Sequence, residues 1–169
     1  VPQFGMYTGR TPYPGSPDAN LNQDLANTME KDILLQSDEV KSKLKELGKY
    51  PSKRDLGTFI HRLRDNETIL TDPFDAELIT RQEMQRYCPD ILITNYSMLE
   101  YMLMRPIEKC IWQSTTAWLK SDPKNKLLFI IDEAHMYRGS SGGEVALLVR
   151  RVLHKLGIGR ERVQFILTS

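Results

Sequence analysis

Five consecutive apolar residues, Leu127-Leu128-Phe129-Ile130-Ile131, stop abruptly at two acids, Asp132-Glu133, with His135 two positions further on. No polar residue alternates within this run, and it is too short for a helix stripe. Such a run reads as a strand buried on both faces, and strands of that kind belong to parallel sheets covered by helices. Ile91 to Thr94 and Val163 to Leu167 repeat the pattern, and Phe4 to Thr8 is a fourth β-rich run.

Helical patterns separate these strands. Val145, Leu148, Val149, Val152, Leu153 and Leu156 fall on one face of a helix that Gly157 should end. Ser141 with Glu144 has the capping-box spacing at its start, as have Thr80 with Glu83 before Cys88-Pro89, and Ser97 with Glu100 ahead of an apolar helix from Met98 to Met104 stopped by Pro106. Alternating strands and helices predict an α/β fold with a mostly parallel sheet flanked by helices and right-handed crossovers.

Residues 14 to 80 break that rhythm. Pro12, Pro14, Gly15 and Pro17 predict turns. Helical stripes then follow at Leu21, Leu25 and Met29, at Val40, Leu44 and Leu47 with Gly48 as a stop, and at Leu56, Phe59, Ile60 and Leu63 behind Ser52 and Asp55. The segment reads as a helical insertion, with residues 89 to 169 as the α/β core of one domain spanning 1 to 169. Lys53, Arg54, His61, Arg62 and Arg64 mark its third helix as locally basic, which reads as a solvated face or as a contact for a DNA strand.

Composition removes several classes. A chain of 169 residues, 40% of them hydrophobic, can bury a core, which excludes a disordered tail or a fibrous repeat. Net charge is +1, so no global field drives it onto nucleic acid or membrane, and such contacts need local patches. Cys88 and Cys110 are too few for a disulfide framework and too far apart for a CxxC motif, which suits free thiols in a reducing cytoplasm. No apolar run is long enough for a membrane span. Val1 at one end and Leu167-Thr168-Ser169 at the other read as cuts within a longer chain.

Ligands of open parallel sheets bind at the carboxyl ends of strands, where Asp132 and Glu133 should lie. In a nucleotide triphosphatase, one such acid holds Mg²⁺ through its water shell and the next orients and deprotonates the attacking water. A solvated loop or a helix cap would also place acids there. A zinc site using His135 is a competing chemical reading, but the HExxH spacing is absent, and His61 and His154 have charged neighbours on helical segments.

Asp132-Glu133-Ala134-His135 resembles the Walker B box, motif II, of superfamily 2 DEAD/DEAH-box helicases. Val163 to Leu167 with Thr168-Ser169 resembles the strand entering motif III, and Pro89 to Leu99, through Thr94-Asn95-Tyr96, resembles the motif Ib strand and turn. Tyr7-Thr8-Gly9-Arg10-Thr11-Pro12 is similar to the segment after motif Ia in the Lhr/Hrq-like branch of large helicases. Tyr137-Arg138-Gly139 and Arg150-Arg151 also match that branch. The match covers roughly half the chain, and the motifs are specific as an ordered set.

The resemblance implies part of a first RecA-like, P-loop NTPase domain using ATP and Mg²⁺. Asp132 would coordinate the metal, Glu133 would be the catalytic base, and His135 would couple the nucleotide site to motif III at Thr168 and Ser169. Thr94, Asn95, Arg10 and Thr11 would meet the backbone of single-stranded or duplex nucleic acid, with DNA favoured. A second RecA-like domain of the same parent would be a partner. Tyr96 departs from the branch, which often has proline there, and the 14–80 insertion has no counterpart in compact helicase cores.

No GxxxxGK[ST] motif exists in the chain. Gly48-Lys49-Tyr50 lacks both the first glycine and the hydroxyl, and Gly139 to Gly143 follows the acids instead of preceding Lys-Ser/Thr. The chain alone is therefore expected neither to bind ATP tightly nor to hydrolyse it. Trp112 and Trp118 read as packing for a linker helix in preference to base stacking. Two other classes remain open at this stage. One is a non-catalytic interaction module that kept the fold, which would have no need of both acids. The other is a different P-loop ATPase, which would not be expected to carry the Thr94-Asn95 and Thr168-Ser169 segments.

Overall fold

A computed structural model describes residues 1–12 and 18–169; Pro14, Gly15 and Pro17 of the expected turn lie outside the described residues. The chain divides into two compact units, Val1–Thr94 and Asn95–Ser169.

The first unit is built on three parallel strands, β1 (Phe4–Tyr7), β2 (Glu77–Leu78) and β3 (Ile91–Thr94), in the order β2-β1-β3. Between β1 and β2 run α1 (Ala19–Met29), a π-helical turn over Glu30–Leu34, α2 (Asp38–Glu46) and α3 (Leu56–Arg64). The helices of the 14–80 segment thus stop at Arg64, and its Glu77–Leu78 pair joins the sheet. A short α4 (Arg81–Arg86) follows, with the Thr80–Glu83 capping box complete.

The four residues expected to share a face of α3 are all buried, and they pack with Ala26, Met29 and Leu70 into one apolar cluster. Two expected faces shift. In α1 the buried stripe is Asn22, Ala26 and Met29, while Leu21 is exposed; Asn22 enters because its Nδ2 donates to Asn66 Oδ1 at 2.8 Å. Helix α2 buries no residue, and Val40 and Leu47 face outward, so its caps carry it: Ser37 accepts from the Val40 N–H, and Gly48 takes positive φ at its end. Asp55 caps α3 by accepting from the Thr58 N–H, in place of the expected Ser52, whose own N–H goes to the Glu77 carboxylate.

The second unit holds α5 (Tyr96–Met104), α6 (Lys109–Ser121), β4 (Leu127–Ile131), α7 (Ser140–Leu156) and β5 (Val163–Leu167), with β4 and β5 paired in parallel from Leu127↔Val163 to Ile131↔Leu167. Leu148, Val152, Leu153 and Leu156 of α7 are buried as its stripe predicts, and Gly157 ends it in the left-handed region. Trp112 packs inside and donates its ring N–H to Met102 O at 2.8 Å, whereas Trp118 is exposed. Two helix starts differ from expectation. Asn95, not Ser97, caps α5 by accepting from the Met98 N–H, and α7 begins behind Gly139 with no side-chain cap, its Ser141 hydroxyl donating to Arg138 O instead.

The α/β class with parallel strands and flanking helices is as expected. The strands, however, are not buried on both faces. Gly5 and Tyr7 of β1 are buried while Met6 points outward, and Ile91, Ile93, Leu128 and Ile130 are about half exposed. Gly5 explains the covered face: a Cβ there would lie 2.3 Å from Met84 Sδ, so its absence lets α4 pack onto β1. In β3 and β4 a continuous apolar run thus alternates in burial even though it does not alternate in sequence, whereas β5 is exposed from Gln164 to Leu167.

Candidate functional site

In the second unit the acids stand where an open sheet binds ligands. Asp132 and Glu133 leave the carboxyl end of β4, both exposed, and a 3₁₀ turn over Ala134–Met136 follows. Thr168, just past β5, ties the two strand ends together. Its N–H donates to Ile131 O at 3.0 Å and its C=O accepts from the Ala134 N–H at 2.8 Å. Its hydroxyl donates to Asp132 Oδ1, which also accepts the Glu133 N–H at 3.1 Å.

Glu133 occupies the left-handed region at φ 50° and ψ 42°. A non-glycine residue held there is strained, and such strain concentrates at functional sites. The turn aims the Glu133 carboxylate at His135, whose Nδ1 lies 3.3 Å from Glu133 Oε2. With a proton on Nδ1 this contact is a hydrogen bond that fixes both side chains. Thr168 therefore contacts Asp132 while His135 contacts Glu133. Ser169 is exposed beside them.

The arrangement suits a hard divalent cation. Asp132 Oδ1 is oriented by two donors, and Oδ2 has no hydrogen bond among the described residues. One pre-aimed carboxylate oxygen facing solvent is what Mg²⁺ uses, since it keeps several waters and completes its shell with phosphate oxygens. Zinc is a poorer match: no three His, Cys, Asp or Glu side chains converge among the described residues. No helix among them is long and apolar enough to cross a membrane.

The first unit presents a separate constellation at the carboxyl ends of β1 and β3. Tyr7 pairs with Thr94 across the ladder, and the Thr94 hydroxyl donates to Tyr7 O at 2.7 Å. Beyond Tyr7 the chain folds into a tight loop. Buried Thr11 donates its hydroxyl to Met6 O at 2.5 Å and accepts the Thr8 N–H at 2.9 Å; its own N–H donates to Thr8 O. Thr8 Oγ1 accepts the Arg10 N–H. The hydroxyl protons of Thr11 and Thr94 are thus used to shape the strand ends, while the Arg10 side chain is exposed at the loop's apex. Asn95, first residue of the other unit, uses its Oδ1 on the α5 cap and leaves its amide N–H₂ without a hydrogen bond among the described residues.

The basic helix of the insertion is neutralised. Arg64 pairs with Glu30 at 2.7 Å, His61 lies 3.1 Å from Asp65, and Arg62 approaches Glu67 at 3.8 Å. The side chain of Lys53, read from sequence as part of that exposed face, is instead wholly buried before α3. It pairs with Asp75 at 3.1 Å and Glu83 at 2.5 Å, and its ammonium lies 4.4 Å from the centre of the Phe59 ring. A buried ammonium needs such partners, and they come from residues 22 and 30 positions away that no local pattern reveals.

Over 99% of its length, the chain is 44% identical to Druantia protein DruE of Escherichia coli, of which it spans 10%. Over 72% of its length, it is 27% identical to an uncharacterised ATP-dependent helicase of Methanocaldococcus jannaschii, of which it spans 16%. The chain thus covers between a tenth and a sixth of these curated relatives. No protein-family model and no solved structure matches it. The similarities support a relationship to ATP-dependent helicases.

Proposed function

We propose that this chain is part of the first RecA-like motor domain of an ATP-dependent helicase or translocase acting on nucleic acid, DNA in preference, in the cytoplasm. The observation that carries the reading is the acid pair at the β4 tip: Asp132 aimed by Thr168, and Glu133 held in a strained turn against His135. Similarity to an ATP-dependent helicase supports the same class.

Asp132 would hold Mg²⁺ through Oδ2 while Thr168 and the Glu133 N–H restrain Oδ1. Bound there, the ion would neutralise charge on the phosphate oxygens of ATP. Glu133 would orient the attacking water and take its proton, with His135 limiting the carboxylate's rotation. Thr168 would carry changes at the acids into β5, because its backbone bonds to both Ile131 and Ala134. On the nucleic-acid side, Arg10 of the first unit and the Asn95 amide of the second would each meet phosphates, with Thr11 and Thr94 shaping the ends of β1 and β3. The phosphate-cradling loop and a second RecA-like domain would come from the rest of the parent protein.

Glu133→Gln in the complete protein tests the reading. It keeps the side chain's size and removes the base, so DNA-stimulated ATP hydrolysis should fall about 10²- to 10⁴-fold while ATP binding persists. Hydrolysis at the unmodified rate would remove Glu133 from the reaction and the motor assignment with it.

A further inference from the structure

The Thr8–Pro12 loop is fastened by a residue that its own sequence does not contain. Arg81, the first residue of α4, is buried (2% exposed), and its guanidinium Nη2 donates to Thr8 O at 2.5 Å. The guanidinium carbon lies 5.4 Å from the centre of the Tyr7 ring, and the Arg81 backbone N–H donates to Pro12 O at 3.2 Å. One residue thus holds both ends of the loop, its side chain at Thr8 and its backbone at Pro12. Tyr7 is fixed from a second side by Gln85 Nε2, 2.7 Å from its hydroxyl.

No carboxylate pairs with Arg81 among the described residues. Burying a guanidinium without a counter-charge is costly, and packing alone would be served as well by an apolar side chain. The cation is spent on a carbonyl and a ring at the base of a loop whose apex is exposed Arg10. Helix α4 itself is anchored: Glu83 closes the cap on Thr80 and receives buried Lys53 and the Thr71 hydroxyl. The loop therefore hangs from a fixed point.

We propose that Arg81 is a positioning residue for nucleic-acid binding: it touches no phosphate itself but sets the Thr8–Pro12 loop so that Arg10 meets the backbone. The inference rests on the nucleic-acid reading of Arg10 given above.

The test is a double-mutant cycle in the complete protein, with affinity for an oligothymidylate measured across salt concentrations. Arg10→Ala should weaken binding and lower the salt slope by about one, as loss of one phosphate contact does. Arg81→Met, which keeps the packed stem, should weaken binding about 3- to 10-fold and lower the slope likewise, but add little once Arg10 is alanine. Arg81→Lys retains the buried charge and runs the same cycle if the methionine variant does not fold. A purely structural role would reduce the fraction of binding-competent protein and leave the affinity and salt slope of the remainder unchanged; that result, or full additivity with Arg10→Ala, overturns the proposal. A silent Arg10→Ala would instead remove the underlying nucleic-acid reading, and the positioning role with it.

Discussion

Two clusters of charged groups, one in each unit, stand in opposite surroundings. In Val1–Thr94, Lys53, Asp75, Arg81 and Glu83 lie inside, and each of the two carboxylates accepts at least three hydrogen bonds. Glu83 accepts from Lys53, Thr71, Thr80 and the Ile79 N–H, and Asp75 accepts from Lys53 and the Arg54 and Asp72 N–H groups. In Asn95–Ser169, Asp132, Glu133 and His135 stand exposed on a turn, with few partners. A buried carboxylate whose oxygens are this heavily engaged by protein donors has little left to offer a ligand, so it is architecture. An exposed carboxylate with one oxygen aimed and one unused is available for chemistry. Charge in the Lys53–Asp75–Glu83 cluster should therefore govern stability, and charge at the β4 tip should govern activity.

Lys53→Met gives the largest expected stability effect. It leaves Asp75 and Glu83 facing each other without their cation, and breaking a buried pair in this way costs about 3–5 kcal/mol. Denaturant unfolding of the full chain measures it. A loss below about 1 kcal/mol would put the cluster in the class of surface ion pairs and erase the contrast between the units.

Glu133→Gly should act in the opposite sense. Glycine takes φ 50° without the Cβ clash, so the chain should gain about 1 kcal/mol while the complete protein loses ATP hydrolysis. Stability and activity moving in opposite directions is the mark of a strained functional turn. If unfolding shows no gain, the turn is not strained, and the acids are held by their hydrogen bonds alone.

Sequence legibility divides along the same line. Strands β1, β3, β4 and β5, the α3 and α7 stripes and the Thr80–Glu83 cap are readable because each depends on residues within a turn or two of one another, whereas the two-residue β2 is too short to leave a pattern. The position of Asp132 and Glu133 at the end of β4 is readable for the same reason, whereas the left-handed turn at Glu133 and its contact with His135 are not. The α5 start was misread because Ser97–Glu100 and Asn95 offer overlapping caps, and only backbone geometry decides that Asn95 reaches the Met98 N–H. Lys53 and Arg81 were illegible in principle. Their hydrogen-bond partners are 22 to 73 positions away, and their burial follows from tertiary packing that no local periodicity encodes. Asn95→Ala bears directly on the α5 assignment: it should cost about 1 kcal/mol in unfolding of the chain, and Ser97→Ala close to nothing. The reverse order would restore the capping box at Ser97.

The smallest effect concerns a charge of the first unit that is exposed yet structural. Asp55 caps α3, accepting the Thr58 N–H at 3.0 Å and the Thr58 hydroxyl at 2.8 Å. These bonds, the backbone one foremost, hold its carboxyl below its ordinary value of 3.8. A carboxyl with a depressed folded-state pKa adds stability that is fully present above the unfolded value and disappears as pH falls through the folded one. Asparagine keeps a cap oxygen at every pH but no charge. The melting temperature of the unmodified chain should therefore exceed that of Asp55→Asn at about pH 7, and the gap should close as the solution is taken below 3.8. Comparing the two chains at each pH cancels the other carboxylates, Asp75 and Glu83 included. A gap unchanged between about pH 6 and pH 3 would mean that the charge at this cap contributes nothing, leaving hydrogen bonding by a neutral oxygen to account for the start of α3.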